Sequence, residues 1–228
     1  MVLTQLRKRA AGKEAHSFTG AATAVLASCP TALRQIHHRD TALAIWRRRL
    51  AGDVTRELAS LILDDVDDMI FASESGALEA ALAGAMEQAG YPDMPALRAD
   101  IAMLARQHAA ITDDRHARIR LEVVETDSCR KFHADYVKVR TITTYLGRGT
   151  QWIEAESAEG ALAADGPGIE QVATGSVAMF KGRLWQENPT ILHRSPPIGD
   201  SGEQRLVLVI DPAPAQDEMR IGSGRSCI

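Results

Sequence analysis

The 228 residues are 45% hydrophobic with a formal net charge of −4, enough chain for one large domain or two small ones whose core needs no staple. Acidic and basic residues are interspersed, so the broad electropositive face that phosphate backbones attract is not expected. Nucleic acid is therefore not an expected partner.

In chain order, residues 1–12 are basic but lack the continuous apolar core of a secretory signal. The apolar stretch 21–29 is too short to cross a bilayer, so no membrane association is expected. Apolar residues at three- and four-residue spacings predict amphipathic helices over 41–50, 55–71, 77–89 and 95–110. Gly52 or Asp53, Gly76, Gly90 with Pro92, and Pro95 supply the stops and starts between them. Within that half, Trp46-Arg47-Arg48-Arg49 reads as a solvated helix face paired with nearby acids. Asp64, Asp65, Asp67 and Asp68 lack the glycine and terminal glutamate of a calcium loop and read as helix surface. His37, His38, His108 and His116 have no partner pattern.

Near residue 116 the pattern changes. Segments 119–123, 136–146, 176–180 and 205–210 are β-branched and partly alternating, separated by Gly and Pro clusters at 164–168 and 195–202, and they predict strands. Residues 160–168 have no following helix and glycines too loosely spaced for a phosphate loop, so they read as a mobile loop and a candidate lid. Short strands without crossover helices imply antiparallel pairing that closes into a jelly roll or barrel. The expected fold class is α+β: a helical N-terminal region over 1–115, a C-terminal double-stranded β-helix (jelly roll, cupin-like) over 116–213, and a flexible tail over 214–228. Cys29, Cys129 and Cys227 are odd in number and widely spread, which argues against a disulfide framework and makes the cytoplasm the default location. Cys227, next to the last residue, fits no prenylation box.

The chemistry concentrates after residue 130. His133-Ala-Asp135 places an imidazole and a carboxylate on one face of an extended chain, where both can hold a single ion. Alone that spacing is a weak signal. Followed by a distal His193, and by Arg205 at the opening of a strand, it becomes an ordered set that chance seldom supplies. Two imidazoles and one carboxylate on one face of a metal leave up to three positions open.

This set, with Thr144-Tyr145-Leu146-Gly147 ending one strand and Gly175-Ser-Val-Ala-Met-Phe180 before His193, resembles the Fe(II)- and 2-oxoglutarate-dependent oxygenases over residues 117–211. The resemblance implies iron on His133, Asp135 and His193, which are then the catalytic residues, and a basic residue, Arg205, on the co-substrate carboxylate. Tyr145 or Thr150 would add a hydrogen bond. It implies oxidative decarboxylation of 2-oxoglutarate coupled to oxidation of a small molecule or a protein side chain. The wider wording Cys129-Arg-Lys-Phe-His133-Ala-Asp135, Tyr145-Leu-Gly-Arg-Gly-Thr150-Gln-Trp152 and His193-Arg-Ser-Pro-Pro197 is similar to an uncharacterised bacterial family, domain of unknown function 1826, whose name brings no activity.

Alternatives stand beside this. Arg194 competes with Arg205 for the carboxylate. Cys129, as a thiolate with His133 and His193, would make a zinc site closed to dioxygen chemistry and a metal-handling protein. The same barrel also hosts catalytically silent interaction modules.

Overall fold

The computed structural model describes residues 23–74, 76–127, 129–155, 166–199 and 201–213. Its strands are β1 (Thr23–Ala27), β2 (Thr41–Trp46), β3 (Met69–Glu74), β4 (His116–Val124), β5 (Val139–Leu146), β6 (Gln151–Glu154), β7 (Glu170–Gln171), β8 (Val177–Lys181), β9 (Ile191–Arg194) and β10 (Arg205–Pro212). Seven of them form one sheet in the order β1-β2-β8-β5-β10-β4-β3, and three form a second in the order β7-β6-β9. The β1–β2 pair is parallel, and the other pairs are antiparallel. The helices are α1 (Gly52–Ala59), α2 (Leu78–Gln88) and α3 (Pro95–Thr112). The result is a mixed α/β fold built on one large sheet.

Side-chain alternation on β10 divides the core in two. Leu206, Leu208 and Ile210 join Leu97, Ile101 and Leu104 of α3 on the helix-covered face. Val207 and Val209 point the other way and meet Ile191, Phe180 and Trp152 beneath the small sheet. A strand buried on both faces reads as a continuous apolar run. The helices are locked to each other as well as to the sheet: both carboxylate oxygens of Glu57 on α1 accept the N–H groups of Ala96 and Leu97 at 2.9 and 2.8 Å. Those groups have no partner inside α3, and a negative charge is favoured at that end of a helix.

The expected helices 77–89 and 95–110 are present as α2 and α3, and the four expected strands as β4, β5, β8 and β10. The other two helices are not. Segment 41–50 forms β2, five of whose six residues are buried between β1 and β8. Apolar on both faces, it has no two-residue period to oppose a helical reading. Segment 55–71 is helical only to Ala59, then makes a 3-10 turn at Leu63–Asp65 and enters β3, where Met69 and Phe71 face Leu121 and Ile119 of β4. The region before residue 116 thus contributes three strands to the large sheet and is not simply a helical layer.

Two smaller expectations change with it. Asp68 is not helix surface; its Oδ1 accepts the Val123 N–H at 2.8 Å. Arg48 is not a solvated residue either, because its fork holds both oxygens of Asp100 at 2.5 and 2.7 Å and its Nε donates to the Gly175 carbonyl at 2.9 Å. Residues 1–12, the tail 214–228 and most of 160–168 lie outside the described residues. No helix among the described residues is long and apolar enough to cross a membrane.

His108, which carried no pattern in the sequence, is buried on α3 with Nδ1 2.8 Å from Thr141 Oγ1 of β5. Burial pushes its pKa down from 6.5 to about 4. Between those values the unfolded chain binds a proton that the native state refuses, so stability falls as pH drops through this window. The expected loss is on the order of 2–3 kcal/mol. Urea midpoints from pH 7 to 4 should show it, and His108→Gln, which keeps a polar partner for Thr141 but does not titrate, should have the flatter profile.

Candidate metal centre

His193 lies on β9, directly across from Trp152 of β6. On its other side runs the segment bearing His133. The two histidines exchange backbone hydrogen bonds, His133 N–H to His193 O at 3.0 Å and His193 N–H to His133 O at 2.9 Å. Residues opposed in this way project to the same face, and the two rings sit 4.7 Å apart, centroid to centroid. Phe180 of β8 packs at 4.5 Å from the His193 ring and fixes its tilt from the large sheet.

Asp135 completes the group: one ligand atom from each of His133, Asp135 and His193 lies within 4.8 Å of the others. Asp135 Oδ2 is 3.0 Å from His193 Nε2, and Oδ1 is 3.7 Å from His133 Nε2. Burial alone would raise the Asp135 carboxyl, but His193, Arg140 and His133 around it reverse that and hold it well below the usual carboxylate range. Burial, aided by His193, pushes the His133 imidazole down toward its neutral form. Its Nδ1 lies 2.8 Å from the Lys131 carbonyl, which fits an Nδ1–H donor and leaves the Nε2 lone pair facing Asp135. An ionised carboxylate and a neutral imidazole are the forms in which Asp135 and His133 would bind a metal. Asp135 Oδ2 is buried without an aligned hydrogen-bond donor among the described residues, an arrangement a cation would satisfy. The donor set fits a divalent ion.

Arg205 opens β10 from the same side. It is 1% exposed, and its bonds go to neutral oxygens: Nε to the Arg148 carbonyl at 2.6 Å, Nη1 to Ser195 Oγ at 2.9 Å and Nη2 to Thr144 Oγ1 at 3.4 Å. Burial pushes its pKa down to about 10, against the opposing charge of Glu203. A buried cation with no bonded carboxylate among the described residues favours an incoming anion. Arg194 is occupied otherwise, with Nε on Gln151 Oε1 at 2.8 Å and its guanidinium 4.3 Å over the Phe132 ring.

Arg205, Thr150 and the three candidate ligands line one open groove of about 2030 Å³, which runs on across β4 and β3 toward α2. Tyr145 does not line it. Its hydroxyl donates to Asp100 at 2.7 Å on the helix-covered face, because along β5 it points opposite to Thr144. Cys129 is disulfide-bonded, so it is not the thiolate a zinc site needs, although the cysteine count argued against a disulfide framework. The candidate ligand group does not include it.

Sequence reasoning missed Arg140, which hydrogen-bonds Asp135 from β5, and Gly182, whose turn holds the backbone beside Asp135. Gly182 N–H donates to Lys138 O at 2.8 Å, Arg183 N–H to Asp135 O at 2.8 Å and Leu184 N–H to Val137 O at 3.1 Å. The H-x-D spacing gave no sign of either. Gly147, which the wider motif did contain, has a φ of 78°, and a Cβ there would stand 2.7 Å from Arg205 Cγ. Glycine at 147 therefore serves both the turn and the seating of Arg205.

A family model described as protein of unknown function (DUF1826) matches residues 27–211, and the chain belongs to that family. No curated protein matches the sequence. Among solved structures, the chain is similar to a prolyl-4-hydroxylase from Pseudomonas putida, at 12% identity and a TM-score of 0.44, covering 79% of this chain and 96% of that one. It is also similar to the dioxygenase for auxin oxidation from Arabidopsis thaliana in its complex with 2-oxoglutarate, at 10% identity and a TM-score of 0.46, covering 85% and 93%.

Proposed function

We propose that this protein is an Fe(II)- and 2-oxoglutarate-dependent dioxygenase of the hydroxylase type, with a double-stranded β-helix formed by its two sheets. The observation that carries the reading is the convergence of His133, Asp135 and His193 in one groove with a buried arginine whose bonds among the described residues go to neutral oxygens. His133, Asp135 and His193 hold the iron, and one face of the ion stays open. With iron and 2-oxoglutarate bound, the site supplies oxidative decarboxylation to succinate and carbon dioxide, coupled to insertion of one oxygen atom of dioxygen into a substrate C–H bond.

The chain's own residues bind and orient. Arg205 takes the distal carboxylate of 2-oxoglutarate in a bidentate pair, and Thr150, which lines the same groove, offers a neutral donor. Phe180 and Trp152 keep the ligand side dry, which strengthens each charge interaction. The groove beyond admits a small molecule or a protein side chain. Against the zinc site built with Cys129 stand its disulfide bond and the carboxylate, Asp135, that takes the third place in the group.

Succinate formation in air tests the reading without knowledge of the substrate. Iron-reconstituted protein is expected to accumulate succinate from 2-oxoglutarate, while zinc-loaded protein and Asp135→Ala are not, since the latter loses the one anionic ligand. Equal background in all three would overturn it.

A further inference from the structure

Asp135 sits at one end of a line of alternating charges laid across three neighbouring strands. Arg140 of β5 hydrogen-bonds Asp135 Oδ1 through Nη1. Its other two nitrogens grip Asp211 of β10, Nε donating to Oδ1 at 2.7 Å and Nη2 to Oδ2 at 2.8 Å. Asp211 Oδ2 is also 3.4 Å from Arg120 of β4, which in turn binds Glu122 at 2.9 Å. The side chains of Asp135, Arg140 and Asp211 are 11%, 18% and 8% exposed, so these charges are shielded from solvent and from screening by salt.

We infer that Arg140 is a positioning residue that turns Asp135 into a one-oxygen ligand. This deepens the proposed function and rests on it for the identity of the ligand set. With Oδ1 held by the guanidinium, only Oδ2, 3.0 Å from His193 Nε2, is left for an ion. A carboxylate free to rotate would bind through both oxygens and consume a position the chemistry requires. Placing a cation beside a metal ligand costs Coulomb energy, and the bidentate pair with Asp211 offsets it. Asp211 is thus the countercharge that lets Arg140 stand so near the site. An arginine is needed because its fixed fork spans two carboxylates, whereas a lysine ammonium acts as a single point charge.

Co(II) binding to the full chain, followed by calorimetry and by the visible d–d spectrum, tests this without turnover. Arg140→Gln is expected to bind Co(II) roughly 10- to 100-fold more weakly, the scale for losing a partner that orients a ligand. Its spectrum should shift as Asp135 changes mode. Arg140→Lys is expected to fall between the two, and Asp211→Asn to weaken binding several-fold with a shift in the same direction. Glu122→Gln, at the far end of the line, should match the wild type. Arg140→Gln with wild-type affinity and spectrum would overturn the inference. If that variant does not fold, Asp211→Asn with unchanged affinity and spectrum overturns it instead. A wild-type protein that takes up no Co(II) sinks the metal centre itself, and is told apart from failure of the Arg140 role because it appears before any substitution.

Discussion

Gly182→Ala is expected to destabilise the protein by about 3 kcal/mol and to disrupt the candidate metal centre with it. A Cβ built at this position stands 2.1 Å from the Val137 carbonyl oxygen and 2.8 Å from that of Asp135. Both obstacles are backbone, so neither can rotate aside, and relief requires the turn and the ligand segment to separate. Overpacking of this kind costs about 1–3 kcal/mol, more when backbone must move. Separation also breaks the bonds by which Arg183 and Leu184 hold the Asp135 and Val137 carbonyls. The site should therefore loosen before the fold is lost. Thermal melts and Co(II) titration read the two effects separately. Gly84→Ala on α2, where a Cβ meets nothing within 4 Å, should raise stability by up to about 1 kcal/mol, the helix propensity difference. A Gly182→Ala protein with wild-type melting and metal affinity would remove the turn from the account of the site.

The second large effect belongs to the proposed co-substrate. Anaerobic addition of 2-oxoglutarate to the Fe(II) protein is expected to give the visible charge-transfer absorption of a chelated 2-oxo acid. Arg205→Ala should weaken that binding by about 2–3 kcal/mol, roughly 30- to 150-fold, the scale for losing a charge-assisted bidentate pair. Arg205→Lys should recover only part, because one ammonium cannot match two carboxylate oxygens. Arg194→Ala should leave the affinity near wild type, since Arg194 is held by Gln151 and Phe132. The opposite pattern would move the carboxylate role to Arg194.

The candidate group was legible because His133 and Asp135 stand two residues apart, with His193 and then Arg205 following in order ahead of a recognisable strand. Strands β4, β5, β8 and β10 were legible for the β-branched runs they carry. By contrast, β2 was read as a helix because Thr41-Ala-Leu-Ala-Ile-Trp46 is apolar throughout, and only its place between β1 and β8 makes it a strand. Tyr145 and Thr144 pose a different difficulty. Both faces of β5 are largely buried, so alternation divides the residues into two sets without saying which set meets the site. Arg140 was invisible for a third reason: its anchor, Asp211, lies 71 residues away, and no local pattern joins them.

The mutual backbone bonds of His133 and His193 have a consequence for energetics. The two imidazoles are set side by side by strand register, the same interaction that builds the sheet, so their spacing belongs to the folded chain before any ion arrives. A slip of one residue would put Phe132 or Ala134 opposite His193 and turn the imidazole to the other face. The entropy of gathering the two histidines is thus spent during folding. Binding an ion then draws chiefly on desolvation and bond formation, with little ordering of chain left to do.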